Sequence, residues 1–119
     1  MKIILNRDPN SSFILKIRYG YTDWIVKESK DKYGRYITTK WRNRTTYVKI
    51  YKVNEFLSGG VGCAECNYRD NFNKKIGKYI ALKNCLDVML SKGDISMKEY
   101  NLLKKANLNC KVEYICDDE

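Results

Sequence analysis

The chain contains no histidine. That absence removes Ser-His-Asp and Cys-His catalysis, and with them every zinc site that uses imidazole. Any general acid or base would have to be Asp, Glu, Lys, Cys or Tyr, without the side chain whose unperturbed pKa lies nearest neutrality. The sequence therefore argues against an enzyme. Proline is almost missing as well, one residue in 119, with seven glycines, a composition that argues against disorder. No apolar run approaches the ~20 residues of a membrane-spanning helix. The apolar stretch at residues 2–5 is far too short for the core of a secretion signal. The expectation is a cytoplasmic protein with no membrane association.

Acidic residues are the other deficit. There are 14 Asp/Glu against 23 Lys/Arg, a net charge of +9. The excess is uneven: residues 1–60 carry 13 basic and 5 acidic side chains, residues 61–119 carry 10 and 9. A polyanionic partner would dock on the N-terminal half. What is present is otherwise ordinary for a globular protein, 44% apolar and 31% charged, and 119 residues make one domain with a real core.

The pattern divides that domain into a basic β-rich half (1–60) and a cysteine-containing helical half (61–119). Residues 2–5 read as a first strand and Asp8 to Ser11 as a turn. Residues 13–19 and 21–27 are β-branched and aromatic, with Gly20 either separating two strands or marking a bulge. Residues 28–34 form a polar connection. Residues 35–41 and 45–53 flank Arg42-Asn43-Arg44 and read as a hairpin. After Val61 the period changes. Asp70 is an N-cap candidate, and Phe72, Ile76, Tyr79, Ile80, Leu86, Val88, Met89 and Leu90 follow with helical spacing towards Gly93. Ser96 and Glu99 form a capping box for a second helix, with Met97, Tyr100, Leu103 and Ala106 inward. Residues 110–116 alternate like a final strand. The fold class is α+β: an antiparallel sheet of about four to five strands with an antiparallel helical hairpin on one face.

The most distinctive stretch is residues 62–86, GCAECNYRDNFNKKIGKYIALKNCL. Physically it is a strand-to-helix joint. Gly77 and Ala81, four apart on one helical face, let another element approach closely, and a purely packing role accounts for them. The stretch also resembles a segment of small phage and prophage proteins of Gram-positive bacteria, G-x-A-x-C-x-P-x-D-x-F-[DN]-x-x-x-G-x-x-[IL]-A-x-x-R-A-L. Gly62, Cys66, Asp70, Phe72, Asn73, Gly77, Ile80, Ala81 and Leu86 match it, whereas Tyr68, Asn84 and Cys85 replace Pro, Arg and Ala. Several type II-A anti-CRISPR proteins look like this. The resemblance implies a host-interaction protein of a mobile element, acting in the cytoplasm of the infected bacterium.

The five cysteines carry a second expectation. Cys63 and Cys66 have the spacing of a zinc knuckle, and Cys110 and Cys116 are the candidates to complete a structural zinc site. A helical hairpin would return Cys110 towards the first pair. The six residues from Cys110 to Cys116 would span ~20 Å if straight, so both reach one metal only if the chain bends. The alternative is that the thiols are small buried hydrophobes or idle. Cys85, far along the helix, reads as core.

Lys40, Arg42, Arg44, Lys49 and Lys52 interleave with Tyr36, Trp41, Tyr47 and Tyr51. Such interleaving suits single-stranded DNA or RNA. It equally describes a solvated face over an aromatic core face, or a protein-binding hot spot. What the resemblance implies is a non-enzymatic phage inhibitor that binds the type II-A CRISPR effector nuclease, as protein or ribonucleoprotein, and prevents target DNA loading or cleavage. Lys40, Trp41, Arg42, Arg44 and Lys49 are the contact candidates. A phage accessory protein binding single-stranded nucleic acid through the same sheet is the alternative.

Overall fold

A computed structural model describes the backbone of residues 2–6, 12–53, 55–105 and 112–115 and, apart from 55–58 and 112–115, their side chains. The α+β architecture read from the sequence is present. The strands are β1 (Lys2–Leu5), β2 (Ser12–Tyr21), β3 (Ile25–Lys30), β4 (Tyr36–Trp41), β5 (Arg44–Lys52), β6 (Glu55–Cys66) and β7 (Val112–Ile115). The helices α1 (Lys74–Lys92) and α2 (Met97–Lys105) stand between β6 and β7. The main sheet has the order β6-β5-β2-β1-β7. It is antiparallel from β6 to β1, and β7 joins parallel to β1. Among the described residues no helix is long and apolar enough to cross a membrane. The Asp8 to Ser11 turn and Ala106 lie outside the described residues.

Alternation assigns one face of the sheet to the core. Ile3, Leu5, Phe13, Leu15, Val48 and Ile50 are buried on it, against Ala81, Leu82, Cys85, Leu86 and Met89 of α1 and Ile95, Tyr100 and Leu103 beyond. Removing these side chains from water is the main force holding helices to sheet, at ~25 cal/mol per Å² of apolar surface. Both helices lie on this face only. Met97, expected inward, is exposed; as the first residue of α2 it precedes the turn that meets the core. Tyr100 also donates its hydroxyl to Asp87 Oδ1 at 2.6 Å, tying α2 to α1.

The helix ends are built by side chains. The N-cap is Asn73, whose Oδ1 accepts from Lys75 N–H and Ile76 N–H; Asp70, expected in that role, sits three residues earlier in a turn closed by its own N–H to Asn67 O. Gly93 ends α1 at φ 78°, with Gly93 N–H on Leu90 O and Asp94 N–H on Met89 O, the double closure that favours glycine. The capping box forms as expected: Glu99 N–H donates to Ser96 Oγ and Ser96 N–H to Glu99 Oε1.

The strand pairing departs from the sequence reading. Residues 35–53 are not a hairpin. β4 pairs with β3 and β5 pairs with β2, so residues 12–30 and 36–52 run alongside one another as one long ribbon. Its turn is at residues 31–35, within the polar connection. There the Asp31 carboxylate accepts Arg35 N–H, Tyr33 N–H and Arg35 Nε–H, and Gly34 takes φ 78°. The Arg35 backbone bond above all holds the Asp31 pKa below its ordinary value. This contribution is therefore complete above the ordinary carboxylate range and is lost as pH falls through the depressed value. Arg42-Asn43 is a bend rather than a turn. The outer part, β3–β4, leaves the body as an arm. It makes the molecule 67 Å long against 26 and 21 Å across, with a radius of gyration of 18.8 Å, where a compact chain of this length has about 13–14 Å.

The strand between residues 55 and 66 was not legible as such, because glycines replace the usual β-branched pattern. Those glycines are what let α1 lie on it. A Cβ at Gly62 would fall onto Ala81 O and Cys85 N of the α1 backbone, and one at Gly60 would press Met89 and the carbonyl of Cys85. Gly62→Ala is expected to lower stability by about 3 kcal/mol, read as a drop in the urea midpoint at unchanged slope; a midpoint unaltered by the substitution would mean that the contact is loose.

Candidate binding surfaces

Among the described residues, nothing covers the face of the sheet opposite the helices. β2 presents Lys16 and Arg18 there, and β5 presents Tyr47, Lys49 and Tyr51, because their odd or even neighbours point into the core. Lys16 stands directly across from Lys49, and Arg18 across from Tyr47. Both lysine ammonium groups lie 5.8 Å from the Tyr51 ring. Lys16, Arg18, Tyr47, Lys49 and Val61 line a shallow depression of about 570 Å³. Like charges directly opposite on a sheet are destabilising, so this face carries a small stability cost in the free protein.

Of the contact candidates, Lys49 alone belongs to this face. Lys40 is on the arm, exposed. Trp41 is half-buried at the arm's root, its ring 5.4 Å from that of Tyr68. Arg42 and Arg44 are stacked within the molecule. The Arg42 guanidinium lies 4.7 Å from the Trp24 ring and 4.3 Å from the Tyr21 ring. That of Arg44 lies 4.8 Å from Tyr21 and 4.3 Å from Phe72. Phe72 in turn meets Tyr19 edge-on at 6.3 Å, and Lys74 of α1 sits 5.0 Å from Tyr19. Cations and rings thus alternate from the arm's root to the start of α1, each contact worth ~0.5–1 kcal/mol where exposed. Lys16 and Arg18 are what the sequence reading overlooked; their alternation with Phe13, Leu15 and Ile17 was the available signal.

Asn43 is the hub of the bend. Its carbonyl accepts Thr22 N–H, its N–H donates to Thr22 Oγ1, its Nδ2 donates to Glu65 Oε1, and its Oδ1 accepts Tyr68 N–H. Two of these four bonds tie the two runs of the ribbon together, and two join the ribbon to the end of β6 and the loop after it.

The cysteines are not brought together as a knuckle. β6 continues unbroken through Cys66, so Cys63 and Cys66, three apart, leave the strand on opposite faces. Cys63 is exposed, across from Tyr47 of the open face. Cys66 is half-buried on the helix side beside Phe72, and its Sγ lies 3.6 Å from Asn67 O. Cys110 and Cys116 lie outside the described residues, and among the described residues no group of three or more His, Cys, Asp or Glu is close enough to hold a metal. Cys85 is core, as its position implied: it is fully buried, its thiol donates to Gly60 O at 3.0 Å, and burial pushes its pKa up to about 11.

A thiol held that high stays protonated and unreactive at neutral pH. With iodoacetamide at pH 8 and peptide mapping by mass spectrometry, Cys63 should alkylate at the rate of a free thiol. Cys85 should lag by about 100-fold until denaturant is added; equal rates would contradict its burial. Asn43→Ala should cost about 1–2 kcal/mol through the lost side-chain bonds and speed hydrogen exchange at the Tyr68 amide, whereas an unchanged Tyr68 amide would remove Asn43 from its hub role.

Comparison with protein-family models, curated proteins and solved structures finds no match to this chain.

Proposed function

We propose that the protein is a non-enzymatic inhibitor that docks on a phosphate-rich partner through its open sheet face, the partner being the type II-A CRISPR effector nuclease with its guide RNA. The observation that supports this is the Lys16–Lys49 pair, two cations set directly across from each other on a face that no element among the described residues covers. Their mutual repulsion is relieved when a polyanion lies between them. Arg18, Tyr47 and Tyr51 extend the same surface with an arginine fork and rings. The choice of nuclease comes from the resemblance of residues 62–86 to phage proteins that include anti-CRISPR proteins. Binding would occlude a surface needed for guide or target nucleic acid, or block a conformational step that licenses cleavage.

The second reading is a phage accessory protein that binds single-stranded DNA or RNA. The tyrosines beside the lysines favour it, since rings stack on bases while cations take phosphate.

Reconstituted effector with guide RNA and a target plasmid separates the two. The inhibitor reading expects cleavage to stop near one equivalent of protein. Lys16→Glu with Arg18→Glu and Lys49→Glu should then need at least about tenfold more protein. Unimpaired cleavage together with salt-sensitive binding of bare single-stranded oligonucleotides would replace the inhibitor reading with the second one.

A further inference from the structure

On grounds independent of the sheet face, we propose that the β3–β4 arm is a docking ribbon for double-stranded DNA, lying in the major groove. All six residues of β3 and five of the six in β4 are exposed. The ribbon therefore buries neither face against the body, and an isolated two-stranded ribbon is only marginally stable in water. It is nevertheless held in place at its root, by Asn43 and by Arg42 packed between Tyr21 and Trp24. A segment anchored at its root, where Trp41 alone of its residues is half-buried, is preorganised for something outside the molecule.

Charge identifies the occupant. Residues 25–41 carry five Lys/Arg against two acidic residues, and one of those two, Asp31, is consumed by Arg35 in the turn at 3.0 Å. The strand register puts Lys27 with Thr39 on one face, and Lys30 and Lys40 on the other. Cations on both faces suit a groove whose two walls are phosphate. A flat partner would meet one face and leave the other idle.

Dimensions agree. The major groove of B-form DNA, ~12 Å wide, admits a two-stranded ribbon. Six residues per strand extend ~20 Å, the length of about six base pairs. The deep, narrow major groove of A-form RNA does not admit side chains in this way. Between the cations stand Ser29, Thr38 and Thr39, short hydroxyl side chains that can hydrogen-bond base edges.

The test is fluorescence anisotropy with a labelled 24-base-pair DNA duplex at 50 and 200 mM NaCl. Two variants are compared with the wild type. Lys27→Gln with Lys30→Gln and Lys40→Gln removes the charges. A shortened arm replaces residues 27–39 by Asn-Gly, a two-residue hairpin turn between the still-paired Val26 and Lys40. Wild type should bind the duplex. The triple Gln variant should lose at least about tenfold in affinity at 50 mM, with the slope of log affinity against log salt smaller by up to about 2.7, three phosphate contacts at ~0.9 each. The shortened arm should bind no better than the triple variant, with circular dichroism retaining the helical signal. The proposal is overturned if the wild type does not bind duplex at 50 mM, or if the triple variant stays within twofold of it. Loss of duplex binding only on substituting Lys16, Arg18 and Lys49 would also overturn it, and would leave the reading of the sheet face standing.

Discussion

Everything else in this molecule depends on the close approach of α1 to β6. Gly60 and Gly62 leave no side chain on the strand where the helix crosses, and Ala81 and Cys85 are the small residues that meet them. With the backbones that near, α1 covers the core face of the sheet. It also reaches round the outer edge of β6: Asn84 Nδ2 donates to Cys63 O at 2.9 Å and Lys92 Nζ to Gly59 O at 2.7 Å. Those carbonyls lie along an edge strand, where unpaired groups invite another chain to add. The helix thus provides the core and protects the edge.

Among the described residues α1 and α2 cover one face and nothing covers the other, and the two faces are chemically opposite. Phe13, Leu15 and Ile17 alternate with Lys16 and Arg18 along β2, and Val48 and Ile50 alternate with Tyr47, Lys49 and Tyr51 along β5. The same ribbon then runs on beyond the body as the arm. The cation–ring ladder from Trp24 to Lys74 connects the arm's root with the first turn of α1. Arg42 and Arg44 each lie within 5 Å of two ring centroids, Arg42 on the exposed surface and Arg44 half-buried.

The elements with a strong local cause were legible. Gly93, the Ser96–Glu99 box and the apolar spacing between them gave the helical hairpin, because caps and periodicity act over a few residues. Cys85 was legible as core from its place in the helix. Pairing was harder. Arg42-Asn43-Arg44 looks like a turn because polar residues separate two β-rich runs, but Asn43 bends a ribbon by bonding Thr22, Glu65 and Tyr68, all distant in sequence. The N-cap is Asn73 rather than Asp70: both residue types cap well, and Asp70 is placed in the preceding turn, its N–H on Asn67 O. Cys-x-x-Cys has one meaning in a tight turn and another on a strand, and glycine-rich β6 hid that it was a strand.

By itself the sequence determined the α+β class, the helical hairpin with its caps, the absence of histidine chemistry and the concentration of positive charge in the first half. These follow from composition and from periods of two and 3.6, which are properties of neighbours along the chain. The tertiary structure alone decided which strands pair, that the thiols of Cys63 and Cys66 part to opposite faces, which arginines are spent on internal stacking, and that Lys16 faces Lys49 across an open sheet. Most of those outcomes depend on contacts between residues distant along the chain, such as Asn43 with Glu65 and Tyr68 and Lys16 with Lys49, and no local pattern encodes them.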